Sequence, residues 1–528
     1  MDVRLTSPDN AAVDARNKPI EWRPRDGLAR RANLVRVLVV IDLVLAVRYA
    51  WWLLSPGRPS NMVLYVLLVA AEGFNLIQAA GFWWTVSRIR DRPAATEVPT
   101  GISVDVFIPT FNEPVEIVEP TVAAAAAMHG ADVRIFLLDD GGREEMAALA
   151  ARHGVGCIQR PEHEGAKAGN INWALAQTDA QLIAILDCDH VPVPEFLDRC
   201  LAELADPHVA LVQTPQYYAN WRQCGVAEAS WSQQSLFFGT IALGRDELGA
   251  MFCCGTNFVI RREALSSVGS FSQDSLTEDF ELSIRLHEHG WKTKYLPDAL
   301  AAGLAPEDAG AYVGQQMRWA RGCLAAVPTV ITARLPLRVR MQYLLSAAYW
   351  LTGWTLLIYM TFPIVRILTT EQPITVPSAE QFLTYWAPYF FAGMLTVAVA
   401  ASNGYSFAAF AVSSACFWVH IFATILTVLR RKGTFAVTPK TVSDRRQLRP
   451  VLAPIVACAL LCGVAVYGLT RNQSPGMVTN VAFSAVHILV LACGIAVLLR
   501  RPRSSVNAQQ VESDRAEAHR AALDRVNR

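Results

Sequence analysis

Two aspartates and a histidine follow an apolar run in a pattern that could bind a metal ion. The run 182–186 (LIAIL) leads into Asp187, Cys188, Asp189 and His190. Alternate residues on a strand end point the same way, so the two aspartates predict a carboxylate pair for Mg²⁺ or Mn²⁺. Zinc is not predicted, because Cys188 and His190 fall on the opposite side of that alternation and no second Cys/His cluster completes a tetrahedral site. Cys188 is expected to pack in the core, and the role of His190 stays open.

Two other apolar runs also end in polar residues. The run 133–138 (VRIFLL) precedes Asp139 and Asp140, and the run 104–109 (VDVFIP) precedes residues 110–113 (TFNE). A single aspartate after a strand is usually a turn residue or a helix N-cap. Three polar strand ends within one unit favour a binding site over three unrelated turns.

An acidic triplet lies farther along the chain. Thr277, Glu278 and Asp279 precede an amphipathic run that ends at Gly290. The pattern predicts a capping box, with Thr277 as the N-cap and acids in the first helical turn. A catalytic role is compatible with this interpretation, because a carboxylate on a rigid helix start can act as a general base when its pKa suits the reaction.

A later helix carries Gln315, Arg318 and Trp319, whose spacing places them on one face. One interpretation is a basic amphipathic helix at a membrane surface. The other is a substrate-binding face, because an arginine can neutralise a leaving diphosphate and a tryptophan face can stack on a sugar ring.

The elements that hold these residues alternate between strand and helix. Helix-like stretches at 119–128, 143–154 and 166–177 separate the apolar runs, and a fourth apolar run covers 209–213. Continuous apolar strands that alternate with helices indicate a parallel sheet in a doubly wound α/β domain. Ligands of such sheets bind at the carboxyl ends of the strands, where this sequence places its acids.

The composition indicates a membrane protein with a soluble part. Of the 528 residues, 52% are hydrophobic and only 18% are charged. A bilayer core takes about 20 mostly apolar residues as helix. Six segments are predicted to span: 33–55, 61–87, 341–369, 381–402, 451–470 and 478–500. The charged residues Asp42, Arg48 and Glu72 in the first two spans either face other helices or line a pathway.

Positively charged residues set the predicted orientation, because they stay on the cytoplasmic side. With six spans, the arginines of the N-terminal tail and those after the second and sixth spans all lie inside. The apolar stretch 403–429 is therefore predicted as an interfacial helix. The predicted division is a cytoplasmic tail at 1–31, spans at 32–87, a cytoplasmic catalytic domain at 88–338, spans at 339–402, the interfacial helix and a loop at 403–450, spans at 451–500 and a cytoplasmic tail at 501–528.

Taken together, the motifs resemble the processive family 2 glycosyltransferases, most closely the catalytic subunits of bacterial cellulose synthases. The family pattern D, D-x-D, T-E-D and Q-x-x-R-W is found in order at 139–140, 187–189, 277–279 and 315–319. Further matches are KAGN at 167–170, QTPQ at 213–216, FCCGTN at 252–257 and the gating-loop signature F-x-V-T-x-K at 435–440. The resemblance implies an α/β GT-A-type (Rossmann-like) cytoplasmic domain inserted in an α-helical transmembrane bundle.

The resemblance also implies a role for each acid. Asp139 and Asp140 would bind the uridine of a UDP-sugar. Asp187 and Asp189 would hold Mg²⁺, or Mn²⁺, on the diphosphate. Asp279 would be the general base that removes a proton from the acceptor hydroxyl. Asp139, Asp187 and Asp279 are thus the candidate catalytic residues.

Other residues would contact the substrates. The arginine and tryptophan of Q-x-x-R-W would bind the diphosphate and stack the acceptor sugar, and the gating loop would close over the nucleotide. The implied substrate-binding residues are Asp140, Lys167, Glu278, Gln315, Arg318, Trp319, Thr438 and Lys440.

The implied activity is inverting polymerisation of UDP-glucose into a β-1,4-glucan, extruded across a bacterial plasma (inner) membrane by a multi-pass protein. A β-1,3-glucan, a mixed-linkage glucan, an N-acetylhexosamine polymer and non-processive transfer to a lipid carrier are the alternatives. The implied partners are the UDP-sugar donor, the growing polysaccharide, the lipid bilayer and a periplasmic or accessory subunit. No PilZ-type domain is expected in 501–528, and the net charge of +1 gives no indication of a nucleic-acid partner.

Overall fold

The computed structural model describes residues 27–91, 95, 98–375, 379–402, 404–431, 448–471 and 474–500. The predicted gating-loop residues Thr438 and Lys440 and the tail 501–528 lie outside this part of the chain. Its α-helices are α1 Leu28–Leu53, α2 Met62–Ser87, α3 Val115–Ala126, α4 Glu144–Arg152, α5 Ala166–Leu175, α6 Phe196–Glu203, α7 Gly225–Leu236, α8 Ala242–Glu247, α9 Arg262–Ser267, α10 Glu278–Glu288, α11 Ala309–Ala325, α12 Val327–Thr332, α13 Leu337–Ala348, α14 Thr352–Thr369, α15 Ala379–Ala400, α16 Phe407–Ala415, α17 Phe417–Val428, α18 Leu452–Arg471 and α19 Pro475–Leu499.

The strands form a large and a small sheet within the described residues. They are β1 Ser103–Thr110, β2 Asp132–Asp139, β3 Gly156–Gln159, β4 Leu182–Ile185, β5 Val191–Pro192, β6 Val209–Gln213, β7 Tyr217–Tyr218, β8 Phe258–Arg261, β9 Lys292–Tyr295 and β10 Ala301–Gly303. The large sheet has the order β3-β2-β1-β4-β8-β6-β9, and the small one has the order β5-β10-β7. All four predicted strands and the three helices predicted between them are confirmed.

Strand directions in the large sheet differ in part from the expectation of a parallel sheet. Strands β3, β2, β1 and β4 are mutually parallel, as predicted. Strand β8 runs antiparallel to both β4 and β6, so the sheet is mixed. The sequence between β6 and β8 provides α7 and α8 rather than a single crossover helix, and this longer connection returns the chain in the opposite direction.

Helices cover both faces of the large sheet, because its central strands are apolar on both faces. In β1, Val104, Val106 and Ile108 pack into one core cluster, whereas Phe107 packs into a second one. This double burial explains the continuous apolar runs in the sequence. The parallel register pairs Thr110 with Asp139, so the carboxyl ends of β1 and β2 meet at one edge of the sheet.

Five helical segments of the described chain are long and apolar enough to cross a membrane. They are Met62–Ser87, Leu337–Thr369, Glu380–Ala400, Arg449–Arg471 and Gly476–Leu499. Each overlaps one of the predicted spans. The pair α16 and α17 passes the same test only together, with a bend of 44° between them, and would give a sixth. Its assignment as an interfacial helix stays a prediction.

Helix α1 lies where the first span was predicted but is not one of these five segments, and the predicted span carries three charged side chains, Arg36, Asp42 and Arg48. These side chains contact neighbouring helices. Asp42 accepts a hydrogen bond from Thr396 at 2.5 Å, and Arg48 donates to the Thr384 carbonyl at 2.8 Å, both on α15. Arg36 donates to the Ser87 carbonyl at the end of α2. The contacts of Asp42 and Arg48 agree with the first of the two interpretations offered for them.

Candidate active site

The predicted metal ligands lie together just beyond β4. Single ligand atoms of Asp187, Asp189 and His190 all lie within 4.8 Å of one another. The expectation that His190 points away from the two aspartates is wrong. Strand β4 ends at Ile185, and a turn follows in which the His190 amide donates to the Asp187 carbonyl at 2.9 Å. Strand alternation therefore no longer applies at His190.

His190 and the neighbouring Cys188 lie in different surroundings. The His190 Nε2 atom is buried and has no hydrogen-bond partner among the described residues. Its ring packs on Gly303 of β10, where a Cβ atom would collide with it. Cys188 is buried in the core beside the sheet, as expected for a packing residue. The Nδ1 atom of His190 faces Asp189 at 3.3 Å, and the two carboxylates supply the oxygen donors that a divalent cation such as Mg²⁺ prefers.

Lys167 connects this group to the rest of the site. It projects from the first turn of α5, and its ammonium contacts Asp187 and donates to the Gly255 carbonyl at 2.7 Å. Burial alone lowers the pKa of Lys167, but the carboxylates of Asp187, Glu278 and Asp279 outweigh that effect and raise it. Lys167 therefore carries a positive charge next to the metal-ligand group.

Asp279 occupies the start of α10, where the backbone holds it rigidly. Its Oδ1 atom accepts a hydrogen bond from the Phe280 amide at 2.8 Å. Its Oδ2 atom faces Gly255, where an added Cβ would lie 2.9 Å from it. Burial and the adjacent Glu278 raise the pKa of Asp279 to about 7, against the opposing effects of the Phe280 amide, Lys167 and Arg318. Such a carboxyl group can exchange a proton near neutral pH.

The capping-box prediction is only partly confirmed. Thr277 is the N-cap of α10 and acids fill the first turn, but its hydroxyl makes no capping hydrogen bond. The side chain packs instead against Gly322 of α11, and Oγ1 has no partner among the described residues. Glycine at position 322 thus lets α11 approach the acidic triplet closely.

Helix α11 brings Gln315, Arg318 and Trp319 to the same region. Arg318 is close enough to Asp279 to lower the pKa of its carboxyl group. The Gln315 Oε1 atom is buried without a hydrogen-bond partner in the described part of the chain. Trp319 packs at the edge of a small cluster around Trp350, which lies within the apolar segment Leu337–Thr369. The site therefore lies next to the helices that suit a transmembrane bundle.

Asp139 and Asp140 lie at the end of β2, and the carboxylate of each is paired with an arginine. Asp139 is fully buried and accepts hydrogen bonds from the Arg143 guanidinium at 2.9 and 3.0 Å. Asp140 forms a bidentate pair with Arg160 at 2.5 and 2.7 Å, and His163 contacts the same carboxylate at 3.0 Å. Sequence reasoning identified neither partner. Arg143 lies four residues after Asp139, whereas the tertiary fold brings Arg160 to Asp140 from 20 residues away.

The short motifs around positions 213–216 and 252–257 hold the site in place. The Gln213 side chain donates to the Thr256 carbonyl at 2.7 Å and accepts from the Cys254 amide at the same distance. Gln216 donates to the Cys254 carbonyl at 2.6 Å. The Asp187 amide in turn donates to the Thr256 hydroxyl at 2.7 Å. These buried contacts link the metal-ligand group to the loop beside Asp279.

Comparison with known protein families decides the class of this chain. A family described as "Glycosyl transferase family group 2" matches residues 182–498, which include the metal-ligand group, the acidic triplet and α11. The chain belongs to the family 2 glycosyltransferases. The glycosyltransferase domain has the GT-A-like mixed α/β sheet described above, next to apolar helices that suit a transmembrane bundle.

Relatives of this glycosyltransferase carry cellulose synthase names. "Putative cellulose synthase 2" of Komagataeibacter xylinus is 33% identical over 517 residues, covering 91% of this chain and 34% of that protein. "Cellulose synthase catalytic subunit [UDP-forming]" of Pseudomonas fluorescens (strain SBW25) is 30% identical over 517 residues, covering 91% and 68%. The chain thus spans about a third of the length of the first relative. Among solved structures, the mannosyltransferase PcManGT of Pyrobaculum calidifontis gives a TM-score of 0.48 at 18% identity, covering 65% of this chain and 97% of that one.

Proposed function

We propose that this protein is a membrane-embedded, processive, inverting glycosyltransferase that polymerises UDP-glucose into a β-1,4-glucan and extrudes the polymer. The observation that carries the proposal is the placement of Asp279. This acid has a pKa of about 7, begins a rigid helix and lies between the Lys167–Asp187 pair and α11. A base in this position can reach an acceptor that stands opposite a metal-bound diphosphate. The UDP-forming cellulose synthase names of the relatives point to the donor.

The metal of this proposal is Mg²⁺ or Mn²⁺, and the residues present fit it. Asp187 and Asp189 supply the oxygen donors that these cations prefer, and the Nδ1 atom of His190 lies beside them. Asp187 keeps 35% of its side chain exposed although Lys167 contacts it, which leaves it accessible to a cation. When bound, the cation neutralises negative charge on the diphosphate of the donor.

Asp279 acts as the general base in this reaction. It accepts the proton of the acceptor hydroxyl as that oxygen attacks the anomeric carbon from the side opposite the diphosphate, so the configuration inverts. Its environment tunes it for this, because burial disfavours the carboxylate while the cations nearby keep the pKa close to 7. General-base catalysis of this kind contributes about 10²–10⁴ to the rate.

Basic and aromatic residues bind the two substrates. Lys167 and Arg318 stabilise the charge that develops on the departing UDP. Gln315 and Trp319 hold the acceptor sugar, since the Gln315 carbonyl is buried and unpaired in the described chain and a tryptophan face stacks on sugar rings. Glu278, Asp139 and Asp140 complete the donor side, and Thr438 and Lys440 are proposed to close over the nucleotide.

The membrane helices are proposed to conduct the polymer out of a catalytic domain on the cytoplasmic side of a bacterial inner membrane. Trp319 and Trp350 lie together where α11 meets the spanning segment Leu337–Thr369, so a chain that leaves the acceptor site enters the bundle directly. A periplasmic or accessory subunit would receive the product on the other side.

Membrane vesicles that contain the protein test this function. We expect them to convert UDP-glucose and Mg²⁺ into free UDP and a polymer that a β-1,4-glucanase degrades. A panel of UDP-sugars followed by linkage analysis identifies any other polymer. A lipid-linked product of one sugar, or the absence of transfer from every UDP-sugar, would contradict the proposal.

A further inference from the structure

A buried ion pair joins the end of β2 to the loop before α5. The Arg160 guanidinium meets both carboxylate oxygens of Asp140, with 6% and 7% of the two side chains exposed. A planar bidentate pair of this kind fixes orientation as well as charge. Asp140 cannot move without Arg160, and the reverse holds as well.

The same guanidinium also holds the backbone of the loop. Arg160 donates to the Glu164 carbonyl at 2.6 Å and to the Ala166 carbonyl at 3.0 Å. Between these two acceptors the chain takes two successive left-handed conformations, at Gly165 with φ +71° and at Ala166 with φ +44°. For an alanine this conformation costs about 1–2 kcal/mol, so the loop needs external contacts to keep it.

The conformation of this loop determines the position of the Lys167 backbone. Lys167 directly follows the strained residue and reaches both Asp187 and the Gly255 carbonyl. The helix behind it is fixed, because the Asn170 side-chain amide donates to the Leu138 carbonyl at 2.9 Å. A Cβ atom at Gly169 would collide with the Glu164 carbonyl and with Arg160 itself. The loop is therefore closely packed on every side described.

A second arginine holds the opposite end of the same helix. Arg262 donates to the carbonyl of Leu175, the last residue of α5, at 3.0 Å and to the buried carboxylate of Asp105 at 3.0 Å. An arginine at a helix C-terminus interacts favourably with the helix dipole, whereas one at the N-terminus does not. The contact of Arg262 thus stabilises α5 by itself. The contact of Arg160 requires Asp140 to balance the charge.

We propose that Arg160 is a positioning residue for donor binding, which sets Lys167 and Asp140 in one fixed relation to the metal-ligand group. It does not touch the substrate; it acts through Asp140 on one side and through the 164–166 backbone on the other. The inference rests on the proposed function, because it treats Lys167 and Asp187 as the diphosphate site. It predicts that loss of the bidentate geometry weakens binding of the metal-bound nucleotide more than it slows the transfer step.

Two matched variants of the full-length protein in lipid nanodiscs test this inference. Arg160→Lys and Arg262→Lys both keep the charge but replace the planar guanidinium with a single ammonium, at opposite ends of α5. We expect Arg160→Lys to raise the KM for UDP-glucose, the Kd for UDP with Mg²⁺ and the half-saturating Mg²⁺ concentration about 10- to 100-fold, at nearly unchanged kcat. Arg262→Lys should lower the Tm without changing these three constants.

Equal constants in the two variants would overturn the inference. So would a fall in kcat with unchanged KM in Arg160→Lys. If Arg160→Lys does not accumulate as folded protein, Gly165→Ala disturbs the same left-handed loop without touching Asp140, and it should raise the same three constants. Failure of the proposed function looks different, because the wild-type protein would then neither bind UDP with Mg²⁺ nor transfer glucose.

Discussion

Two acids at opposite ends of the large sheet, Asp105 and Asp187, differ in burial and in how their charge is satisfied. At the amino end, Asp105 is fully buried and binds Arg134 at 2.8 Å, Arg262 at 3.0 Å and the Ala180 amide at 3.0 Å. At the carboxyl end, Asp187 is partly exposed, and the Nε2 atom of His190 has no partner among the described residues. A buried carboxylate that has all its hydrogen-bond and ion-pair partners supports the fold. A polar group that lacks some of its partners can still bind a ligand.

The largest effect is expected at the amino end of the sheet, and it should concern stability alone. Asp105→Ala leaves two arginines without their shared carboxylate, which should lower the free energy of unfolding by about 3–5 kcal/mol. Thermal unfolding in detergent measures the change. The folded fraction of the variant should have the same KM for UDP-glucose as the wild type. A raised KM would show that Asp105 also affects the active site.

The reciprocal change at the carboxyl end should affect activity alone. Asp187→Asn removes a charge from the metal-ligand group, and we expect kcat to fall about 10²–10³-fold. The Tm should stay close to that of the wild type, because Asp187 is partly exposed. A stability loss as large as that of Asp105→Ala would show that Asp187 supports the fold instead.

The pH dependence of kcat tests the base at the same end. Asp279 must be ionised to accept a proton, and burial raises its pKa to about 7. Below this pH the protonated, inactive fraction grows, so kcat should fall about tenfold per pH unit. A rate that stays constant down to about pH 5, as expected for an aspartate with the usual pKa of about 3.9, would contradict the assignment of Asp279.

Two glycines with nearly the same backbone conformation allow a finer comparison. Gly255 has φ +85° and faces Asp279, while Gly290 has φ +83° with nothing within 4 Å of an added Cβ. Alanine at either position should cost about 1–2 kcal/mol of stability. Only Gly255→Ala should also lower kcat, by about tenfold, because its methyl group would press on the base. Equal kcat values in the two variants would show that this close approach has no catalytic role.

Much of the fold could be predicted from the sequence, because it depends on local patterns. The runs that became β1, β4 and β6 are buried on both faces, and β2 is buried towards its carboxyl end. The acids after these strands were correctly placed at strand ends. Strand β8 itself was missed, and so was its antiparallel direction, because an apolar run shows burial but not strand direction.

Side-chain partners were harder to predict than positions. His190 was assigned to the wrong side because a turn replaces the strand after Ile185. The hydroxyl of Thr277 does not cap its helix, because the close approach of α11 at Gly322 takes up that side chain. Of the arginines that hold Asp139 and Asp140, Arg143 lies only four residues after its partner, whereas the pairing of Arg160 with Asp140 depends on the tertiary fold.

The most direct test of the central claim measures UDP release and polymer together in vesicles that contain wild-type protein or Asp279→Asn. With UDP-glucose and Mg²⁺, the wild type should release UDP and form a glucanase-sensitive polymer. The rate of Asp279→Asn should be about 10²–10⁴-fold lower, while its affinity for UDP stays nearly unchanged. Wild-type polymer synthesis by Asp279→Asn would contradict the account.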